Sequence, residues 1–121
     1  MKLVSQVLLT STREPPNHRW EPIYIGTQNE PLYDERLSWE GFQDKMSQMH
    51  ELCLLNYSFA ILDTAFLVHK PGIKVKKSKA PQTKKEEWRV PFVKKNAEVY
   101  KSLMKSFRAK YPVETKCKER L

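Results

Sequence analysis

Apolar residues fall into short, separate runs along this chain, and the spacing inside each run predicts its element. Leu3 to Leu9 is apolar enough for a strand, whereas Ser11 to Arg19 (STREPPNHR) is polar and proline-containing and reads as a loop. Ile23, Tyr24 and Ile25 form a β-branched and aromatic run closed by Gly26, which predicts a short buried strand, and a turn follows at Gln28 to Pro31. Leu32 to Glu40 mixes acids with large apolar groups until Gly41 breaks the pattern. Phe42, Met46, Met49 and Cys53 then recur at helical steps, which predicts an amphipathic helix over 42–54. Tyr57 to Leu62 and Ala65 to His69 predict two strands joined by a tight turn at Asp63-Thr64.

Beyond His69 the pattern is lost: Lys70-Pro71-Gly72 is a turn signal and a Lys-rich loop is predicted over 76–92. Val93, Ala97, Tyr100, Met104, Phe107 and Tyr111 restore steps of three and four residues until Pro112, so a helix is predicted from 93, with a tail to 121. No internal repeat is visible. The 121 residues therefore make one domain or part of one, with a poorly defined segment over 1–19.

Charge divides the chain in two. Residues 1–69 carry 5 Lys/Arg and 9 Asp/Glu, and residues 70–121 carry 17 and 5. The basic half attracts polyanions in principle, but residues 70–87 hold no aromatic to interleave with the lysines, so nucleic acid is not the expected partner. No apolar run approaches the roughly 20 residues of a membrane-spanning helix, and Met1 to Thr10 lacks a signal-peptide cleavage pattern. Cys53 and Cys117 are too few for a disulfide framework and lack metal-site spacing, so as two lone thiols they leave the redox compartment open.

The candidate chemistry is concentrated in two places. His69-Lys70-Pro71-Gly72-Ile73-Lys74 sets an imidazole at the end of an apolar run, then a glycine that allows close backbone approach, then a cation, a combination that suits a divalent metal and a diphosphate. A surface histidine before a turn is the plain alternative. Asp34-Glu35-Arg36, with Glu40 and Asp44 nearby, offers a general base, although such acids more often cap and solvate a helix start. His18 and His50 carry less signal. The chain contains no D-x-D, no phosphate-cradling glycine loop, no G-x-S-x-G and no H-E-x-x-H. Asn56-Tyr57-Ser58 matches the short N-glycosylation pattern.

Taken together, Trp20-Glu21-Pro22, Leu32-Tyr33-Asp34-Glu35-Arg36, Gly41-Phe42 and Ala65-Phe66-Leu67-Val68-His69-Lys70 resemble, in order and spacing over residues 20–75, the C-terminal part of the β-1,4-glucuronyltransferase family, to which the second catalytic domain of LARGE-type xylosyl/glucuronyltransferases is related. The terminal helix ending Ala109-Lys110-Tyr111-Pro112 fits as well, whereas residues 1–12 and the Lys-rich loop add nothing. The resemblance implies an α/β fold, the C-terminal part of an incomplete GT-A (Rossmann-like) domain with a long C-terminal helix. It implies Golgi residence, Mn²⁺, and inverting transfer of glucuronic acid from UDP-glucuronate to a xylose-bearing O-mannosyl glycan of the dystroglycan type. On that reading His69 is a metal ligand, and Lys70, Gly72 and Lys74 lie at the diphosphate. Asp34 is the first choice of base, with Glu35 and Asp44 behind it, and Arg36 orients that carboxylate or meets the sugar's carboxylate. Pro71 lengthens the turn relative to shorter H-K-G versions. On the same reading, the missing D-x-D and membrane anchor imply a fragment of about the C-terminal third of such an enzyme, expected to be inactive alone because His69 is then the metal's single side-chain ligand. The rivals are a small basic polyanion-binding protein and a non-catalytic partner that pairs with a full-length relative.

Overall fold

Pro91 lies in the first turn of the long C-terminal helix instead of belonging to the loop before it. The computed structural model describes residues 5–72, 87–113 and 116–119. In chain order its elements are β1 (Val7–Ser11), α1 (Met46–Leu54), β2 (Phe59–Leu62) and α2 (Val90–Lys110), with single 3-10 turns at Asn17–Arg19, Trp39–Gly41 and Glu87–Arg89. Proline is tolerated in the first helical turn, where its missing N–H has no intrahelical partner anyway, so α2 begins at Val90 and not at the expected Val93. It ends where Tyr111 turns extended ahead of Pro112, and Arg108 and Lys110 complement the helix dipole there.

The expected helix over 42–54 begins later. Phe42 (φ 59°) and Gln43 (φ 55°) lie in the left-handed region, so helical backbone is reached only at Met46. α1 stops in a Schellman turn: the Asn56 N–H donates to the Cys53 carbonyl (2.9 Å) and the Tyr57 N–H to the Leu52 carbonyl (3.0 Å), with Asn56 left-handed at φ 62°. Met46, Met49, Leu52 and Cys53 of α1, Met104 and Phe107 of α2, Leu37 and Cys117 form the buried core. A side chain such as Leu52 or Met49, each 1% exposed, contributes about 1.5–3 kcal/mol by leaving water.

β1 and β2 pair antiparallel, with Ser11 opposite Phe59 and Val7 opposite Leu62 and an irregularity between Val7 and Leu9. The predicted turn at Asp63-Thr64 does not form. Those residues continue beside β1 instead: the Asp63 N–H donates to the Gln6 carbonyl (3.0 Å), the Gln6 N–H to Asp63 Oδ1 (3.0 Å), and the Thr64 hydroxyl lies 3.0 Å from that of Ser5. Ala65 to His69 consequently has no strand to turn back onto and is not a strand, and Phe66, Leu67 and Val68 are exposed. Ile23 to Ile25 is not a buried strand either, since Ile25 is 92% exposed and Tyr24 alone of the three turns inward, its ring 6.2 Å from that of Phe59. The class is mixed α/β, and the one sheet among the described residues is two-stranded. Of the predicted Lys-rich loop over 76–92, residues 76–86 lie outside the described residues, 87–89 form a 3-10 turn and 90–92 belong to α2.

Three features of the packing leave no hydrophobic signature. Arg13, in the segment read as a plain loop, is 2% exposed; its Nε donates to the Trp20 carbonyl (2.8 Å) and its Nη2 lies 3.4 Å from Met46 Sδ. Burial lowers its pKa from the ordinary guanidinium value. Asn96, not the predicted Val93 or Ala97, is the buried residue in the N-terminal half of α2. It accepts from the Ser38 N–H (3.1 Å) and donates to the Ser38 and Phe42 carbonyls (2.7 and 3.1 Å), which clamps the Trp39–Gly41 turn onto α2. Beside that turn, the Arg89 guanidinium lies over the rings of Phe42 (4.2 Å), Trp88 (4.8 Å) and Trp39 (5.1 Å).

Cys53 and Cys117 are not two lone thiols. They form a disulfide that spans 64 residues and ties the tail to α1, assisted by a two-pronged contact of Arg108 with Glu119 (2.9 and 3.1 Å).

Candidate functional site

A cleft of about 710 Å³ opens between the 32–35 segment, α1 and α2, lined by Leu32, Tyr33, Asp34, Glu35, Ser47, Gln48, Glu51, Leu103 and Phe107. Helical spacing explains the α1 wall: Ser47, Gln48 and Glu51 lie on one face at steps of one and three, and Leu103 and Phe107 stand one turn apart on α2. Gln48 fixes the opposite wall, its Nε2 donating to the Pro31 carbonyl (2.9 Å) and the Tyr24 hydroxyl (3.2 Å). Glu51 accepts from the Tyr111 hydroxyl and faces Lys110 at 3.6 Å, so its charge is held at the cleft edge.

Asp34 and Arg36 form a bidentate pair. Arg36 Nε donates to Asp34 Oδ1 (3.0 Å), Nη2 to Oδ2 (2.7 Å), and the Arg36 backbone N–H also reaches Oδ1 (3.0 Å). The hydrogen bonds from Arg36 hold the Asp34 carboxyl below its ordinary pKa, so Asp34 is an anion with little affinity for a proton. Glu35, exposed at the same wall, makes no hydrogen bond or ion pair among the described residues. Asp44 is engaged elsewhere: the Tyr33 hydroxyl lies 3.1 Å from its Oδ2 and 2.9 Å from the Leu37 carbonyl. Burial, and then the Asp44 contact, pushes the Tyr33 phenol up to about 12.

The second expected cluster is not brought to this cleft. His69, Lys70 and Gly72 are exposed and absent from its lining, and a Cβ on Gly72 would meet nothing within 4 Å. Lys74 lies outside the described residues. Among the described residues no group of three or more His, Cys, Asp or Glu side chains could hold a metal ion, so these residues alone do not fit Mn²⁺. The α1 and α2 members of the cleft were missed from sequence because a helix face contributes to a cleft only once its packing partner is known.

The family described as "Glycosyl-transferase for dystroglycan" matches residues 2–112. The chain belongs to this glycosyltransferase family. The match is wider than the 20–75 stretch that carried the resemblance, and it takes in both the N-terminal segment and the Lys-rich stretch. Over 93 residues, 77% of the chain, it is 42% identical to "Beta-1,4-glucuronyltransferase 1" of Danio rerio and 34% identical to the proteins of that name in Mus musculus and Homo sapiens. The matched stretch is 20% of the length of each of these curated relatives. No solved structure matches. Among the described residues of this family member, no helix is long and apolar enough to cross a membrane.

Proposed function

We propose that this chain supplies the acceptor-binding side of an inverting glucuronyltransferase that transfers glucuronic acid from UDP-glucuronate to a xylose-bearing O-mannosyl glycan in the Golgi lumen. The observation that carries this reading is the cleft beside Asp34-Glu35-Arg36, within a chain of this family. Its carboxylates and the Gln48 amide suit sugar hydroxyls, and the Phe107 and Tyr33 rings suit the apolar face of a pyranose. Inversion needs one base to take the acceptor proton as the hydroxyl attacks in line. Asp34 is bound through both oxygens to Arg36 and is a weak proton acceptor, so the role passes to Glu35, and the Asp34–Arg36 pair positions the acceptor. On this reading His69 would give one imidazole to Mn²⁺, with Lys70 and Gly72 on the phosphate side, although the described residues alone do not complete such a site.

Titration of an alkyl β-xyloside into the chain, followed by amide NMR shifts, tests this. Saturable shifts confined to 32–35 and to Ser47, Gln48 and Glu51 are expected, weakened by Asp34→Asn and retained by Glu35→Gln. In any preparation that turns over UDP-glucuronate, Glu35→Gln abolishes transfer. A folded chain that binds no xyloside overturns the reading.

One observation favours a second reading, polyanion binding: Lys94, Lys95, Lys101, Lys105 and Arg108 are all exposed on α2. Salt-sensitive retention on an immobilised sulfated glycan, independent of Mn²⁺, would favour it over the first.

A further inference from the structure

Asn56-Tyr57-Ser58 is the one N-x-S/T sequence in the chain, since Asn17, Asn29 and Asn96 are followed two residues on by Arg, Pro and Glu. The structure places it at the surface. The Schellman turn that ends α1 needs a left-handed residue at the position of Asn56 (φ 62°), and its backbone N–H is turned inward to the Cys53 carbonyl at 2.9 Å. Asn56 is exposed, its side-chain amide has no hydrogen-bond partner among the described residues, and it lines neither the acceptor cleft nor the smaller cavity around His50. Ser58, two residues on and ahead of β2, is exposed as well. A second observation concerns the compartment. The Cys53–Cys117 disulfide, whose Cys53 lies three residues before Asn56, is of a kind that persists where thiols are oxidised, and the secretory lumen is both oxidising and the place where asparagine is glycosylated.

We infer that Asn56 carries an N-linked glycan. In the modification Asn56 Nδ2 attacks C1 of the reducing-end sugar of a lipid-diphosphate-linked oligosaccharide. The C1–N bond forms, the C1–O bond to the diphosphate breaks, the lipid diphosphate leaves, and the amide gives up one proton to the transferase's base. The glycan would stand at the C-terminal end of α1, where Leu55 is also exposed, and would keep that end of the molecule from forming a protein interface while leaving the acceptor cleft open.

The test is to secrete the full 121-residue chain from a eukaryotic host behind a cleavable leader and to treat it with a peptide N-glycosidase. A mobility shift removed by the enzyme is expected, with Asn56 converted to Asp in the recovered peptide. Asn56→Gly, which suits the left-handed turn, and Ser58→Ala, at an exposed position, each abolish the shift, and Ser58→Thr keeps it. A chain with its leader removed and its disulfide formed, but with unmodified Asn56, overturns the inference.

Discussion

The side-chain amide of Asn96 occupies the space into which a Cβ on Gly41 would project. That Cβ would also stand 2.5 Å from the Phe92 carbonyl oxygen, a backbone atom of α2 that cannot swing away. Gly41→Ala should therefore push α2 off the 38–42 turn and cost about 1–3 kcal/mol. Asn96→Ala leaves the Ser38 N–H and two carbonyls without their partner, at a similar cost. Because both changes act on one contact, the double variant should lose less than the sum of the singles. Urea midpoints of the four proteins measure this, and strict additivity would contradict the clamp.

The Cys53–Cys117 link closes a 64-residue separation. Chain-entropy reasoning assigns such a loop about 4 kcal/mol. Adding reductant, or replacing both cysteines with alanine, should lower the unfolding free energy by that order and release the 116–119 segment to fast amide exchange. Equal stability with and without reductant would show that the bond contributes nothing.

His50 is buried, and its Nδ1 has no partner among the described residues. Burial is the largest cause lowering its pKa, reinforced by Arg13 and Arg108 and opposed by Glu119 and the Lys118 backbone. With the folded value below the unfolded one, the unfolded chain binds the proton first on acidification. The stability that neutral His50 confers is thus complete above about pH 6.5 and is lost as pH falls through the lowered folded value, at up to about 1.4 kcal/mol per pH unit. Unfolding free energies across that window should slope, and His50→Gln should flatten the slope.

The Asp34–Arg36 pair is solvent-facing on its arginine side. Breaking it with Arg36→Ala should change stability little, because solvent screens an exposed pair, but should let the Asp34 carboxyl titrate closer to its ordinary value. Carboxyl carbon NMR reads that shift directly, and an unmoved titration would mean that Arg36 does not hold the anion.

Both helices were legible in the sequence because burial on one face of a helix imposes a period, which Met46, Met49 and Cys53 and then Tyr100, Met104, Phe107 and Tyr111 keep. Asn96 was not, since a polar residue on an apolar stripe is recognised as core only when the groups it satisfies are in view. Ile23 to Ile25 and Ala65 to His69 have strand composition, yet composition does not supply a neighbour to pair with, and β pairing depends on residues distant in sequence. Two cysteines 64 residues apart gave no spacing to read. In the candidate site, Asp34, Glu35 and Arg36 were visible as a local cluster, whereas Ser47, Gln48, Glu51 and Phe107 joined them only through the crossing of α1 and α2.

The rings of Trp39 and Trp88 lie 6.5 Å apart at 65°, with a guanidinium over both and the two indoles carried by different parts of the chain. Two chromophores so close and so inclined couple their electronic transitions. The protein thereby contains a label-free optical gauge: a far-ultraviolet circular dichroism couplet from the strong indole transition, expected to persist while α2 is seated and to collapse when it lifts away.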